Sequence, residues 1–76
     1  MTIQELLDIF VSEMEDTDPK EFTKESLFKE IPGFDSLVAL SVISCVDDVT
    51  DVLLSGDDML AANTIEDLHN TILSRL

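Results

Sequence analysis

The chain has no tryptophan and no tyrosine, a single cysteine, a single histidine, two glycines, two prolines and only four basic residues in 76. Each shortage closes off a class of function. With Cys45 alone there is no intrachain disulfide, and a reducing compartment, the cytoplasm, is the simpler setting. No glycine-rich loop can cradle phosphates, and no nucleophile–base pair or metal-ligating cluster accompanies the lone His69, so the sequence does not support an independent enzyme. The four bases, Lys20, Lys24, Lys29 and Arg75, cannot offset the acidic field, which excludes nucleic acid and anionic membrane as partners. No segment resembles a secretory signal, and no apolar run is long enough to span a bilayer. Four phenylalanines are the whole aromatic content, which predicts an aliphatic core.

What is present is acid. Seventeen carboxylates give a formal charge of −13, which steers basic protein surfaces toward the chain and strains the fold by self-repulsion. Between Lys29 and Arg75 there is no base at all, while Glu30, Asp35, Asp47, Asp48, Asp51, Asp57, Asp58, Glu66 and Asp67 all lie there. An apolar content of 45% still argues for a folded chain rather than an acidic tail. The length allows one small domain, residues 1–76, and a monomer is expected.

The periodicity is helical throughout. Thr2 and Glu5 fit a capping box, and Ile3, Leu7, Phe10 and Met14, widened by Leu6 and Val11, form the apolar stripe of a first helix over residues 3–15. Thr17-Asp18-Pro19 breaks it. Residues 17–35 read as a long connection anchored by Phe22, Leu27, Phe28 and Ile31, with a helical turn at Ser26–Phe28 and a close at Pro32-Gly33. A second helix runs from Ser36 to Val49 or beyond, its apolar face formed by Ala39, Val42, Ile43, Val46 and Val49. Val38, Ser41, Cys45 and Asp48 share the opposite face. The β-branched stretch Val49–Leu54 has no second strand to pair with and reads as a helix end followed by an extended turn. Ser55-Gly56-Asp57-Asp58 reads as a turn, Met59–Ala62 as a short helix, and Ile65, Leu68, Ile72 and Leu76 as the stripe of a last helix capped by Thr64, with Arg75 in its final turn. The expected fold is all-α: three main helices and one short one.

One stretch departs from this plain architecture. Gly33-Phe34-Asp35-Ser36-Leu37 hands a loop over to the second helix, and N–H groups at a helix start favour an anion. Ser36 is therefore either an N-cap or a point where a phosphate is attached. The motif Gly33-x-Asp35-Ser36-Leu37, the acidic Asp47-Asp48 near the end of the second helix, the Gly56-Asp57 turn and Thr64-Ile65-Glu66-Asp67-Leu68 together make the chain resemble an acyl carrier protein over nearly its whole length.

That resemblance implies a function. A separate phosphopantetheinyl transferase would convert Ser36, with coenzyme A, to a 4′-phosphopantetheine phosphodiester, and the arm's thiol would hold acyl groups as thioesters. Asp35 would help bind the magnesium used in that transfer, and Leu37 would pack beside the arm. A gap between helices would shelter an apolar acyl chain. The implied partners are an acyl ligase, ketosynthase or acyltransferase with a basic docking patch, and the docking face would include Val38, Ser41, Asp47 and Asp48. The chain itself would have no catalytic residue and no metal site.

The sequence also departs from the family pattern. Carriers of fatty acid synthesis often have acids two and five residues after the serine, where this chain has Val38 and Ser41. Thr50 stands where an aromatic is usual, and Pro32 and Phe34 are less typical of the loop. These departures point to a specialised carrier with a dedicated ligase or synthase. Two other readings remain: an aminoacyl or peptidyl carrier, and an unmodified acidic helical adaptor for basic proteins. Cys45 reads as inert, because acidic neighbours raise a thiol pKa.

Overall fold

The computed structural model describes all residues, Met1–Leu76, and its order of elements is helical from end to end. Helix α1 spans Ile3–Glu13, α2 Ser36–Thr50, α3 Gly56–Ala61 and α4 Ile65–Leu73. The all-α expectation holds, with three main helices and one short one. Two single 3-10 turns, Pro19–Glu21 and Phe28–Glu30, punctuate the long connection between α1 and α2. The expected turn at Ser26–Phe28 therefore lies two residues further on. Ser26 is instead held in a loop, its hydroxyl donating to the Glu21 carbonyl at 2.6 Å and accepting from the Thr23 N–H at 2.8 Å.

Three of the four helices start with the same device. Thr2 with Glu5, Ser55 with Asp58, and Thr64 with Asp67 each close a capping box. In each, the hydroxyl accepts a backbone N–H three residues on, while the carboxylate accepts the N–H of the cap. The acids involved sit on the positive helix end and accept backbone hydrogen bonds, so Glu5, Asp58 and Asp67 are all held below the ordinary carboxylate range. For Asp58 the largest cause is Arg75, which clasps it through two bonds of 2.6 and 2.7 Å.

Asp58 also explains two corrections to the sequence reading. Ser55–Asp58 is not a turn preceding a helix at Met59; it is the first turn of α3, and the box was visible as Ser55-x-x-Asp58. Arg75 is not in the final turn of α4, which ends at Leu73. It reaches back to α3, where a bidentate carboxylate is a stronger partner than a helix end.

Helix α1 stops at Glu13 rather than at residue 15. Met14 leaves the helical region at φ −120° and ψ 64° and turns its side chain into the core. Continuing would have placed Glu15 and Asp16 on the negative end of the helix. The buried line of α1 is Leu6, Phe10 and Met14, with Ile3, Leu7 and Val11 half-buried beside it.

The core is less aliphatic than the composition suggests. Phe10 and Phe28 are its largest fully buried side chains, packed with Leu6, Ile65, Leu68 and Ile72 and with Val42 and Val46 of α2. All four phenylalanines form one chain of rings: Phe22 to Phe10 at 6.3 Å, Phe10 to Phe28 at 5.2 Å, and Phe28 to Phe34 at 5.4 Å between centroids. These spacings are those of favourable aromatic pairs. The long connection is thus pinned by Phe22, Phe28 and the half-buried Ile31, but not by Leu27, which is exposed. It is also fastened to the start of α4, where the Ile65 and Glu66 N–H groups donate to the Ser26 and Lys24 carbonyls.

Helix α2 is rich in β-branched residues, which cost some side-chain freedom in a helix. Burial of Val42 and Val46 outweighs that cost. Val49, expected on the apolar face, is exposed, because the helix ends one residue later and Val52 takes its place in the core. Asp51 stops the helix in the left-handed region at φ 61°, its N–H bonded to the Asp47 carbonyl at 2.8 Å. Val52 and Leu54 then point inward and Leu53 outward. This alternation accounts for the strand-like look of Val49–Leu54, which runs extended without a partner strand.

Asp51 suggests a stabilising change. An L-residue in the left-handed region is strained, and a carboxylate is repelled at the negative end of a helix. The Asp51→Gly variant is expected to gain about 1 kcal/mol, which for a domain of this size raises the melting temperature by about 4–8 °C. A far-ultraviolet circular dichroism melt measures it. An unchanged or lowered midpoint would show that Asp51 is needed there for its side chain.

Candidate functional site

The loop before α2 is shaped by a tight turn. The Phe34 N–H donates to the Ile31 carbonyl at 3.1 Å across Pro32 and Gly33. Gly33 has φ +97°, so Pro32 followed by Gly33 fills the two central places of a type II turn. The Phe34 ring then packs edge-on against Phe28. The next two residues, Asp35 and Ser36, project from the end of that aromatic chain.

Asp35, and not Ser36, is the N-cap of α2. Its backbone is extended, and its Oδ1 accepts the Val38 N–H at 2.9 Å. Ser36 is the first helical residue and is exposed. The cap reading of Ser36 is thereby overturned, and its hydroxyl has no part in starting the helix. Helix α2 also lacks the device found at the other three starts. It has no acid in its first turn, and Val38 stands where a box carboxylate would be. Its positive end therefore has no counter-charge beyond the cap, an arrangement that favours an anion placed there.

Ser36 opens onto a groove of about 610 Å³ between α2 and α3. Ala39, Leu40 and Ile43 of α2 line one wall and Met59 and Leu60 of α3 the other, with Phe34, Asp35 and Ser36 also in the lining. Ser36, Leu40 and Ile43 fall together because they lie four and three residues apart on one helical face. Asp57, Gly56 and Lys29 complete the lining. A groove between helices is thus present beside Ser36. Ala39 and Ile43 were expected on the apolar face of α2, but Leu40 and Leu60 were not singled out, although the spacing of Leu40 and Ile43 after Ser36 was there to be read.

The residues expected on the docking face separate. Asp48 is exposed and Asp47 half-buried, while Leu37, expected beside the arm, is exposed. Val38 and Ser41 are half-buried, and Val38 packs against the core. The outermost residues of α2 near Ser36 are Leu37, 74% exposed, and Leu40, 62% exposed. Leu60 of α3 joins them at the rim of the groove, 72% exposed. The surface around Ser36 thus combines exposed leucines with the carboxylates of Asp35 and Asp57.

Cys45 lies outside this surface. It is partly buried, and its thiol donates to Glu13 Oε1 of α1 at 3.4 Å. Burial, with Glu13 and then Asp48 adding to it, pushes the thiol pKa up. The expected inertness follows from desolvation first and acidic neighbours second. His69 is structural as well, its Nε2 bonding the Met1 carbonyl at 3.0 Å.

Comparison with models of known protein families matches residues 3–72 to the phosphopantetheine attachment site. The chain belongs to that family. As a member of this carrier protein family it holds 4′-phosphopantetheine covalently, is served by a phosphopantetheinyl transferase, and is a carrier rather than a catalyst. No curated protein matches the chain. No helix of this carrier is long and apolar enough to cross a membrane.

The residues present fit the group. An exposed hydroxyl with no role in capping stands at a helix start free of acids in its first turn, and it faces an apolar groove.

Proposed function

We propose that Ser36 is the attachment point and that the chain is an acyl carrier of a specialised lipid or polyketide-type pathway. The observation that supports this most is the groove running from Ser36 between α2 and α3, whose side chains are mostly apolar. When attached, the arm supplies a terminal thiol on which acyl groups are held as thioesters. In the transfer itself the Ser36 oxygen forms the new bond to phosphorus. The nucleotide half of coenzyme A leaves, and the serine proton passes to the transferase. Asp35 lines the same groove, and its second carboxylate oxygen, not used in the cap, suits a hard cation such as the magnesium of that reaction. Asp35 Oδ1 meanwhile keeps the helix capped.

The docking surface follows from the same geometry. Leu37 stands beside the arm, while Asp47 and Asp48 supply the acidic edge that a ligase, ketosynthase or acyltransferase with a basic patch would meet. Val38 and Ser41 leave the side of α2 toward α1 neutral where carriers of fatty acid synthesis often present acids. This supports a dedicated partner. An aminoacyl or peptidyl carrier would use the same serine and arm, but the apolar groove favours an acyl cargo.

The test is loading of the modified protein by acyl ligases and by amino-acid-activating enzymes, read by intact mass. A fatty or other apolar acyl adduct is expected. Exclusive loading with amino acids would replace the acyl reading, and failure to gain the arm from coenzyme A would overturn the carrier reading for this serine.

A further inference from the structure

The four cations of this chain are used very differently. Lys24 pairs with Glu66 at 3.8 Å, and Arg75 clasps Asp58. Lys20 is exposed on the long connection, away from the groove. Lys29 alone lines the groove that Ser36 opens onto. It is half-buried, makes no ion pair, and directs its ammonium at a neutral atom, the Leu60 carbonyl near the end of α3, at 2.5 Å. The ammonium also lies 5.8 Å from the centre of the Phe28 ring. A carbonyl takes one of the three ammonium donors. A positive charge is thus held beside the groove without a directly paired carboxylate, although Asp35 and Asp57 line the same space, in a chain of charge −13.

The anion that enters this groove is the phosphodiester of the arm. Asp35 and Asp57 line the same space and would repel it. Resting on the assignment of the arm to Ser36, we propose that Lys29 is the positioning residue for the arm. Its ammonium holds the phosphodiester while keeping the Leu60 carbonyl, and so ties the α3 wall of the groove to the modified serine. Helix α3 has one buried side chain, Met59, and is six residues long. A wall this slight is sensitive to a single added tether. Attachment of the arm therefore tightens α3, and the groove is firmer in the modified protein than in the unmodified one.

The experiment compares unmodified and modified protein, the latter made with a transferase and coenzyme A and verified by intact mass. Two signals are followed: the phosphorus NMR shift of the phosphodiester, and amide hydrogen exchange across Met59–Ala62. In the wild type, modification is expected to slow α3 exchange by about twofold to fivefold, the range available to an ion pair at a partly exposed site. The effect should fade in high salt. In Lys29→Gln the phosphorus signal should move and the slowing should vanish, while Lys29→Arg should keep both. The salt dependence is read on the wild type, so the test stands even if the glutamine variant folds poorly. Full mass gain with α3 exchange unchanged on modification, or slowing that persists in Lys29→Gln, would overturn this role for Lys29 and leave the carrier reading intact. No mass gain in the wild type would overturn the carrier reading and this inference with it.

Discussion

Ser36→Ala is expected to abolish the mass gain seen with a phosphopantetheinyl transferase and coenzyme A, and to leave the fold untouched. The first half follows from chemistry, since alanine has no oxygen to bond to phosphorus. The second half follows from the structure. Ser36 is the exposed first residue of α2 and does not cap it, and alanine is at least as good a helix former. The melting temperature should stay within about 4 °C of wild type, the range of an inconsequential surface change. Asp35→Ala should show the opposite pattern in stability, losing about 1 kcal/mol with the cap. A mass gain that survived Ser36→Ala would move the attachment point to another hydroxyl. A large loss of stability in Ser36→Ala would mean that Ser36 supports the helix after all.

The largest effect on stability is expected at Phe28. Its side chain is fully buried, and its ring contacts both Phe10 and Phe34. Phe28→Ala removes the middle of that chain and leaves a cavity, with a cost of about 3–5 kcal/mol. A domain of this length has in total about 4–11 kcal/mol. The variant should therefore be marginal or unfolded at physiological temperature, and its modification should fail for that reason alone. Urea unfolding followed by far-ultraviolet circular dichroism gives the number. A loss under about 1 kcal/mol would show that the core closes around the gap and that Phe34 is positioned by other contacts.

Much of this fold was legible because helices announce themselves at their starts. The Thr2 and Thr64 caps, the α1 stripe and the α4 stripe from Ile65 to Ile72 could be read from local spacing alone, whereas Leu76, expected on that last stripe, is exposed beyond the end of α4. The errors were made where a long-range partner decides. Arg75 fits a helix end by sequence, and only the folded chain brings Asp58 to it. Val49 fits the apolar face of α2 by period, but Val52 displaces it once Asp51 has turned the chain. Leu27 looked as good an anchor as Phe28, and nothing in the connection says which of two adjacent apolar residues turns inward.

The site divides in the same way. Ser36 and its motif were visible as a pattern, while the division of labour between Ser36 and Asp35 was not. Both residue types cap helices well, so spacing cannot choose between them. The bond from the Val38 N–H to Asp35 does. The groove lies between two consecutive helices whose packing angle is set by the turn at Asp51 and the extended stretch after it, and Lys29 enters from a third segment. No local pattern encodes that meeting.

The aromatic chain has a practical consequence. Without tryptophan or tyrosine, the near-ultraviolet absorption and dichroism of this protein come from four phenylalanine rings alone. Those rings are in mutual contact, and the last of them is two residues from Ser36. The weak phenylalanine fine structure, usually lost beneath stronger bands, is here an unlabelled optical reporter. Its far end lines the groove, so what happens beside the serine is registered in the spectrum of the core.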